Sequence, residues 1–228
     1  MASYLIHLAI CCILERALPI KDVNAFRIGH ILPDALKTAE NCDFNSHYTK
    51  SLNEGKQKCI DFAEFYDRKR ESVMTDEMYL GYYFHLIQDN LFRSFLYSDL
   101  GLLSKRGSEE FLNDLYNDYH ILNGQLVKKY FLAPNFSVPD NFPPNWNGWG
   151  DGTVNCLFDR SDLERALEAV EIQFKENISG TPVYLNEKKV DEFIINASIP
   201  CVEEYRALKE GKHRYTKYDL AFNIVPQE

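Results

Sequence analysis

The sequence lacks the patterns that mark several common protein classes. Its six cysteines are scattered and none forms a Cys-x-x-Cys pair, so no thiolate zinc site is indicated. No run is rich in lysine and arginine, and the formal net charge is −9, which argues against a nucleic-acid polymer as a partner. The first twenty residues have no basic region, and charged side chains interrupt their apolar pattern. Together with free thiols, these features predict a cytoplasmic protein without a transmembrane segment.

The composition is that of a globular chain with a substantial core. Of 228 residues, 45% are hydrophobic and 26% are charged, and the apolar side chains recur at helical spacing over most of the length. This pattern predicts an all-α fold in a single domain that spans residues 1–228. The predicted helices cover residues 3–18, 22–28, 47–70, 75–100, 109–131, 161–176 and 186–209.

A long segment rich in proline and glycine interrupts this helical pattern at residues 134–156. It contains Trp146 and Trp149, which argue against simple disorder. An irregular segment of this length is either a lid over a pocket or a connection that aromatic side chains fix to the core. Residues 181–185 are predicted to be extended, and the tail after residue 212 is predicted to be irregular.

One apolar segment carries a histidine and an aspartate four residues apart. At this spacing His85 and Asp89 lie on the same face of a helix, where an imidazole and a carboxylate supply half of a zinc coordination sphere. A buried carboxylate needs a cation. That cation is either a metal ion or Arg93, which lies four residues further on and would leave His85 as a core histidine.

Other candidate ligands precede this pair. Asp34 follows Pro33 in an apolar setting and is either a ligand or an ordinary helix N-cap. His7 lies in the apolar N-terminal helix, and His47 is placed near the start of a helix. His30 either orients a ligand or packs in the core.

The order of these residues resembles the zinc-dependent phospholipase C and P1/S1 nuclease family. The resemblance depends on His7 in the first helix, on the segment 29–34 that ends in Pro-Asp, on His47, and on the Gly-x-x-x-His-x-x-x-Asp segment 81–89. It covers about residues 1–95. Members of this family have an all-α fold with up to three zinc ions, and two are expected here.

The resemblance implies a role for each matched residue. Asp34, His47, His85 and Asp89 would bind one zinc ion, and Asp89 would bridge to a second ion that also binds His7. Asp34 would be the catalytic residue that orients or deprotonates a water molecule activated by zinc. Secreted members also use the amine and the aromatic side chain of their first residue, which this sequence does not match.

The third zinc site of the family is altered in this sequence. The expected pair of a histidine and a glutamate four residues later is replaced by His120 and Gly124. Asp118 and His120 either substitute as ligands or lie on a solvated helix face, and the sequence leaves this open.

Two functions follow from these observations. The first is a metal-dependent hydrolase that acts on a phosphate ester, in a small phosphate-bearing substrate or a lipid headgroup. The second is a non-catalytic helical protein with a structural zinc site. A third class, the His-Asp phosphohydrolases, is less consistent because no histidine directly precedes an aspartate here.

Overall fold

A computed structural model describes residues 2–35, 46–140, 142 and 160–226. Over these ranges the protein is mostly helical, as the apolar spacing predicts. The α-helices in the described ranges are α1 (Tyr4–Ala17), α2 (Val23–Ile31), α3 (Phe62–Thr75), α4 (Glu77–Ser94), α5 (Glu109–Tyr130), α6 (Arg160–Lys175) and α7 (Glu187–Lys209). None of them is both long and apolar enough to cross a membrane.

The prediction of a helix over residues 47–70 is wrong in its first part. An antiparallel hairpin of β1 (Thr49–Leu52) and β2 (Gln57–Ile60) occupies this position, with Thr49 opposite Ile60. Its turn includes Asn53 and Glu54, which both have positive φ angles, and such angles do not occur inside a right-handed helix.

The third strand comes from the C-terminal tail, which the sequence predicts to be irregular. Strand β3 (Phe222–Asn223) pairs antiparallel with β2, so that Gln57 lies opposite Asn223. The tail is therefore held to the body of the protein by backbone pairing as well as by packing. Helix α3 begins only after the hairpin, where Asp61 accepts a hydrogen bond from the amide of Glu64.

Smaller differences affect helix ends and the long irregular segment. Asp76, and not Thr75, is the N-cap of α4, while Ser161 lies inside α6 and is not its N-cap. Residues 134–140 and 142 form neither helix nor strand, as predicted. The rest of that segment, including both tryptophans, lies outside the described residues.

Helix α4 lies at the centre of the core. It packs against α2, α3 and α7, and its contact with α2 is especially close because glycines face each other. A Cβ atom on Gly81 would lie 2.3 Å from the carbonyl oxygen of Phe26, and one on Gly29 would lie 2.1 Å from that of Met78. These two glycines therefore set the separation of the helices.

We predict that Gly81→Ala destabilises the protein by about 3 kcal/mol, the upper end of overpacking costs. At an unhindered helical position the same change stabilises by about 1 kcal/mol, so the sign of the effect tests the close contact. Urea unfolding followed by circular dichroism measures it. The exposed Asn117→Ala in α5 serves as the control and is expected to leave stability unchanged or slightly raised. Stabilisation by Gly81→Ala would contradict the packing described.

Candidate metal centre

The fold brings five of the predicted ligands together in the core. Helix α1 contributes one of them, and a short 3-10 turn after α2 contributes the second. The third lies two residues before strand β1, and the last two lie on α4. All five are buried, with exposed fractions of 3% or less. They are His7, Asp34, His47, His85 and Asp89.

Three of these side chains, Asp34, His47 and His85, have ligand atoms that all lie within 4.8 Å of one another. The Nε2 atom of His47 lies 3.4 Å from Oδ1 of Asp34 and 3.2 Å from Nε2 of His85. Oδ2 of Asp89 lies beside this group, 3.5 Å from Nε2 of His47 and 3.9 Å from Nε2 of His85. Donors about 2.1 Å from a tetrahedral zinc ion lie about 3.4 Å from one another. The three side chains could therefore hold one metal ion, with Asp89 as a neighbour.

Asp89 also faces the fifth residue. Its other oxygen, Oδ1, lies 3.4 Å from Nε2 of His7 and accepts a hydrogen bond of 3.2 Å from the backbone amide of Ala2. The ring of His7 stacks on that of His85 with 4.0 Å between centroids, and His7, His85 and Asp89 form a second group that could hold a metal ion. His85 thus belongs to both groups, while Asp89 directs Oδ1 to His7 and Oδ2 to His47 and His85.

Hydrogen bonds on the far side of two rings fix their orientation. Nδ1 of His85 lies 2.9 Å from the carbonyl oxygen of His30, and Nδ1 of His7 lies 2.8 Å from Oε1 of Gln88. Since both partners are acceptors, the rings donate from Nδ1, and each Nε2 directs its lone pair into the cluster. Metal-binding histidines typically have such partners.

Two residues that position ligands were not singled out from the sequence. Gln88 immediately precedes Asp89 in α4, and its exposed fraction is 0%. Ser46 precedes His47, and its hydroxyl lies 2.9 Å from Nδ1 of that ring. The signal available in the sequence was a polar residue next to a predicted ligand, as Gln88 is to Asp89 and Ser46 to His47. When such a side chain is buried, it needs a specific hydrogen-bond partner.

The protonation states match those of metal ligands. Burial lowers the pKa of His85 to about 3, assisted by the neighbouring His7, so the ring is neutral near pH 7. Burial alone would raise the pKa of Asp34, but the hydrogen bond from His47 and the neighbouring imidazoles outweigh it and bring the pKa to about 2. The pKa of Asp89 is also well below its usual value. Ligands must be deprotonated in this way to bind a metal.

Several atoms of the cluster lack a hydrogen-bond partner. Nε2 of His7, Oδ1 of Asp34 and Oδ2 of Asp89 are all buried and have no bond of acceptable geometry. Burying unpaired carboxylate oxygens is unfavourable, and a cation between them would compensate. The alternative cation, Arg93, does not pair with Asp89 and instead donates from Nη1 to the hydroxyl of Tyr97.

The side chain of His30 is not part of the cluster. Its Nδ1 lies 2.9 Å from the carbonyl oxygen of Phe26, in a fully buried setting. Its backbone carbonyl is what orients His85. Of the two alternatives for His30, packing in the core describes its side chain, and it is the main chain of this residue, not its ring, that contacts a ligand.

Asp118 lies elsewhere and has a structural role. It is fully buried, and its carboxylate accepts hydrogen bonds of 2.6–2.8 Å from the backbone amides of Val183, Tyr184 and Leu185. Three donors from residues 183–185 satisfy both oxygens, and because residues 183 and 184 form a bend, the prediction of an extended piece at 181–185 is wrong there. The prediction that Asp118 is a zinc ligand is therefore corrected: it anchors the segment before α7 to α5.

His120 also lies outside the cluster. Its Nδ1 is 2.8 Å from Oε1 of Glu176, and its side chain is 45% exposed. Within the described ranges, neither His120 nor Asp118 joins a group of three or more side chains that could hold a metal ion. The interpretation of these two residues as substitutes for a third zinc site is not supported by their positions.

A cavity of about 130 Å³ adjoins the cluster at Asp34. It lies between the first residues of α1, helix α5 and helix α6, and Asp34 is the one cluster residue that lines it. A larger cavity of about 440 Å³ between the α1–α2 connection and α7 contains none of the five residues. Of these two cavities, the smaller one could admit a substrate to the cluster.

No protein-family model matches the sequence, and neither a curated protein nor a solved structure matches the chain. The resemblance to the zinc-dependent phospholipase C and P1/S1 nuclease family therefore stays a prediction. What the cluster can do is inferred from its own atoms and their surroundings.

We predict that Asp118→Ala destabilises the protein by about 2–4 kcal/mol and leaves its zinc content unchanged. The variant leaves three backbone amides without their charged acceptor, which is costly at a buried position. Asp114→Ala is the matched control, because Asp114 lies one turn earlier and receives a single bond of 3.3 Å from Tyr184. Its cost should be below about 1 kcal/mol. Loss of zinc from Asp118→Ala with unchanged stability would restore Asp118 as a ligand.

Proposed function

We propose that this protein is a zinc-dependent phosphoesterase in which five buried residues hold two zinc ions. Asp34, His47, His85 and Asp89 bind the first ion, and His7 and Asp89 contribute to the second. The observation that carries the proposal is the position of Asp89, whose two oxygens each face a different set of imidazole nitrogens at about 3.4–3.9 Å.

The chemistry of the donor set supports zinc as the metal. Three imidazoles and two carboxylates suit zinc, whereas magnesium and calcium prefer oxygen ligands alone. The separations of 3.2–3.5 Å around Nε2 of His47 suit ligands of one zinc ion, and the unpaired buried atoms His7 Nε2, Asp34 Oδ1 and Asp89 Oδ2 would be satisfied by a cation. Zinc supplies Lewis-acid chemistry when bound, which makes water nucleophilic near neutral pH.

The residues of the chain then divide the remaining tasks. Asp34 belongs to the cluster and also lines the adjoining cavity, so it is placed to orient a water molecule and to accept its proton. Its low pKa keeps it ionised, so it can accept a hydrogen bond from that water. The hydrogen bonds to His7 and His85 keep both Nε2 atoms directed inward during the reaction. The substrate is a small phosphate ester or a lipid headgroup.

A second candidate is a structural zinc site without catalysis. The observation in its favour is that Oδ2 of Asp89 lies 3.5 Å from His47, beside the group of Asp34, His47 and His85, and could supply a fourth donor. Structural zinc sites are closed by four protein ligands. Catalytic sites keep a position open for water or substrate. The two candidates agree on zinc binding and differ on turnover.

We predict that the protein binds two zinc ions per chain and that single substitutions remove them in a defined pattern. His7→Ala should lose one ion, because it removes a ligand of the second site alone. Asp89→Ala should lose both, because it removes the shared carboxylate. Elemental analysis after dialysis against buffered zinc measures the content.

His120→Ala is the control for this pattern, since it removes a histidine that lies outside the cluster. It should retain both ions. A wild-type protein that holds less than one metal ion per chain after addition of zinc would overturn both candidate functions.

We predict that the zinc-loaded protein hydrolyses small phosphate esters and that Asp34→Asn lowers kcat by about 10²–10³-fold, within the range for loss of a general base. Rates are measured on a panel of phosphodiesters and phosphomonoesters at saturating zinc. Asp67→Asn, an exposed carboxylate on α3, is the control and should retain full activity. Zinc binding without turnover on any ester would favour the structural site, and an unchanged rate in Asp34→Asn would remove Asp34 from the mechanism.

A further inference from the structure

The cavity of about 130 Å³ beside Asp34 contains a histidine that the proposed metal centre does not use. His120 lies on α5, and it is the only histidine among the described residues that line the cavity. Its side chain is 45% exposed, so a molecule that enters the cavity from solvent can reach the ring. Imidazole is the side chain that enzymes use most often to transfer protons. The ring is therefore a candidate for proton transfer to a bound substrate.

A carboxylate fixes the orientation of this ring. Nδ1 of His120 lies 2.8 Å from Oε1 of Glu176, whose side chain is 14% exposed. The second oxygen of Glu176 accepts a hydrogen bond from Nδ2 of Asn123, so both oxygens of the carboxylate are held in place. Because a carboxylate only accepts, Nδ1 of the ring carries a hydrogen atom and donates it to Glu176. An imidazole oriented by a carboxylate in this way is also the arrangement found in catalytic triads.

The other nitrogen of the ring is free to contact a ligand. Nε2 has no hydrogen-bond partner among the described residues, yet it is not one of the buried polar atoms that lack a partner. This nitrogen is therefore accessible. The bond from Nδ1 to Glu176 can stay in place whether or not Nε2 is protonated, so the proton that the ring exchanges is the one on Nε2. The wall of the cavity thus holds an oriented and accessible group for proton transfer.

Asp34 and His120 line the same cavity from different parts of the chain. Asp34 belongs to the turn after α2, whereas His120 belongs to α5. A space of about 130 Å³ is about 6 Å across if it is nearly spherical, which is comparable to a phosphoryl group with its attacking and leaving oxygens. These two oxygens lie roughly in line on opposite sides of phosphorus. Since Asp34 acts on the attacking water, His120 is available to the leaving oxygen.

We propose that His120 is the general acid that protonates the leaving alcohol and that Glu176 positions its ring. The inference rests on the proposed phosphoesterase function and extends it to a substrate class, the phosphate esters of alcohols, whose alkoxide is a poor leaving group without a proton. In the reaction water adds to phosphorus and loses a proton, and the bond from phosphorus to the alcohol oxygen breaks. That oxygen takes the proton from Nε2, and the ring recovers a proton from solvent. The net products are an alcohol and a phosphate.

Two esters that differ in the leaving group test the inference. They share the phosphoryl portion, and the leaving group is 4-nitrophenolate in one and ethoxide in the other. Nitrophenolate leaves without a proton near neutral pH, whereas ethoxide does not. His120→Asn removes the acid but keeps an amide that can donate to Glu176. With the zinc-loaded protein, we expect it to lower kcat for the ethyl ester by about 10²-fold and to change kcat for the nitrophenyl ester by less than about twofold.

His213→Asn is the matched control for this variant. Nδ1 of His213 also lies 2.8 Å from a glutamate oxygen, that of Glu204, but this histidine does not line the cavity. The control should change neither rate. The zinc content of His120→Asn should equal that of the wild type. Loss of a zinc ion would make His120 a metal ligand and overturn the inference.

The pattern of rates separates failure of this inference from failure of the proposed function. Equal losses on both esters in His120→Asn would indicate a structural role, and unchanged rates on both would show that the alcohol leaves without this ring. Either result overturns the inference and leaves the phosphoesterase function standing, as does a wild-type protein that hydrolyses the nitrophenyl ester alone. A wild-type protein that hydrolyses neither ester overturns the proposed function and the inference with it.

Chemical modification provides a measurement that does not depend on turnover. Diethyl pyrocarbonate acylates accessible imidazole nitrogens, and mass spectrometry of peptides distinguishes His120 from His213. With the zinc-loaded protein, saturating inorganic phosphate should slow the modification of His120 several-fold, because phosphate bound in the cavity covers Nε2. The modification of His213 should not change. A rate at His120 that is the same with and without phosphate would place the ring away from the reacting group and overturn the inference.

Discussion

The constraint on which the site depends is the burial of Asp89 in the most enclosed helix of the protein. Its exposed fraction is 0%, and its direct donor from the backbone is the amide of Ala2. Neither Arg93 nor any other arginine or lysine of the described ranges forms an ion pair with it. Such a carboxylate is stable only with positive charge nearby. The three imidazoles directed at it carry no charge when neutral, but together with the carboxylate they could bind a cation.

The contact between α2 and α4 connects the stability of the fold to the geometry of this site. Gly29 and Gly81 let the two backbones approach, and the same approach places the carbonyl of His30 at 2.9 Å from the ring of His85. Widening the contact would remove the acceptor that fixes this ring. The separation of the two helices therefore sets the direction of one metal-facing nitrogen, and packing and ligand orientation cannot vary independently.

The parts that could be predicted from the sequence are those with local causes. Helical periodicity located the seven helices of the described ranges, and the spacing of His85 and Asp89 placed both on one face. The hairpin was missed because the apolar spacing of residues 47–70 was taken as helical, although Asn53 and Gly55, which both favour positive φ angles, signalled a turn. Asp118 was misassigned because its partners lie 65–67 residues away, on a segment whose position only the tertiary fold determines. The cavity has the same origin, since its walls come from four separate parts of the chain.

Charge counting connects the proposed site to its substrate. Asp34 and Asp89 contribute two negative charges, and the low pKa of His85 makes that ring neutral. One zinc ion would cancel the two carboxylates, whereas two ions would leave a net positive charge that attracts phosphate. In a protein of net charge −9, this would be a local region of positive charge, and it would favour a substrate that brings the negative charge of a phosphate group.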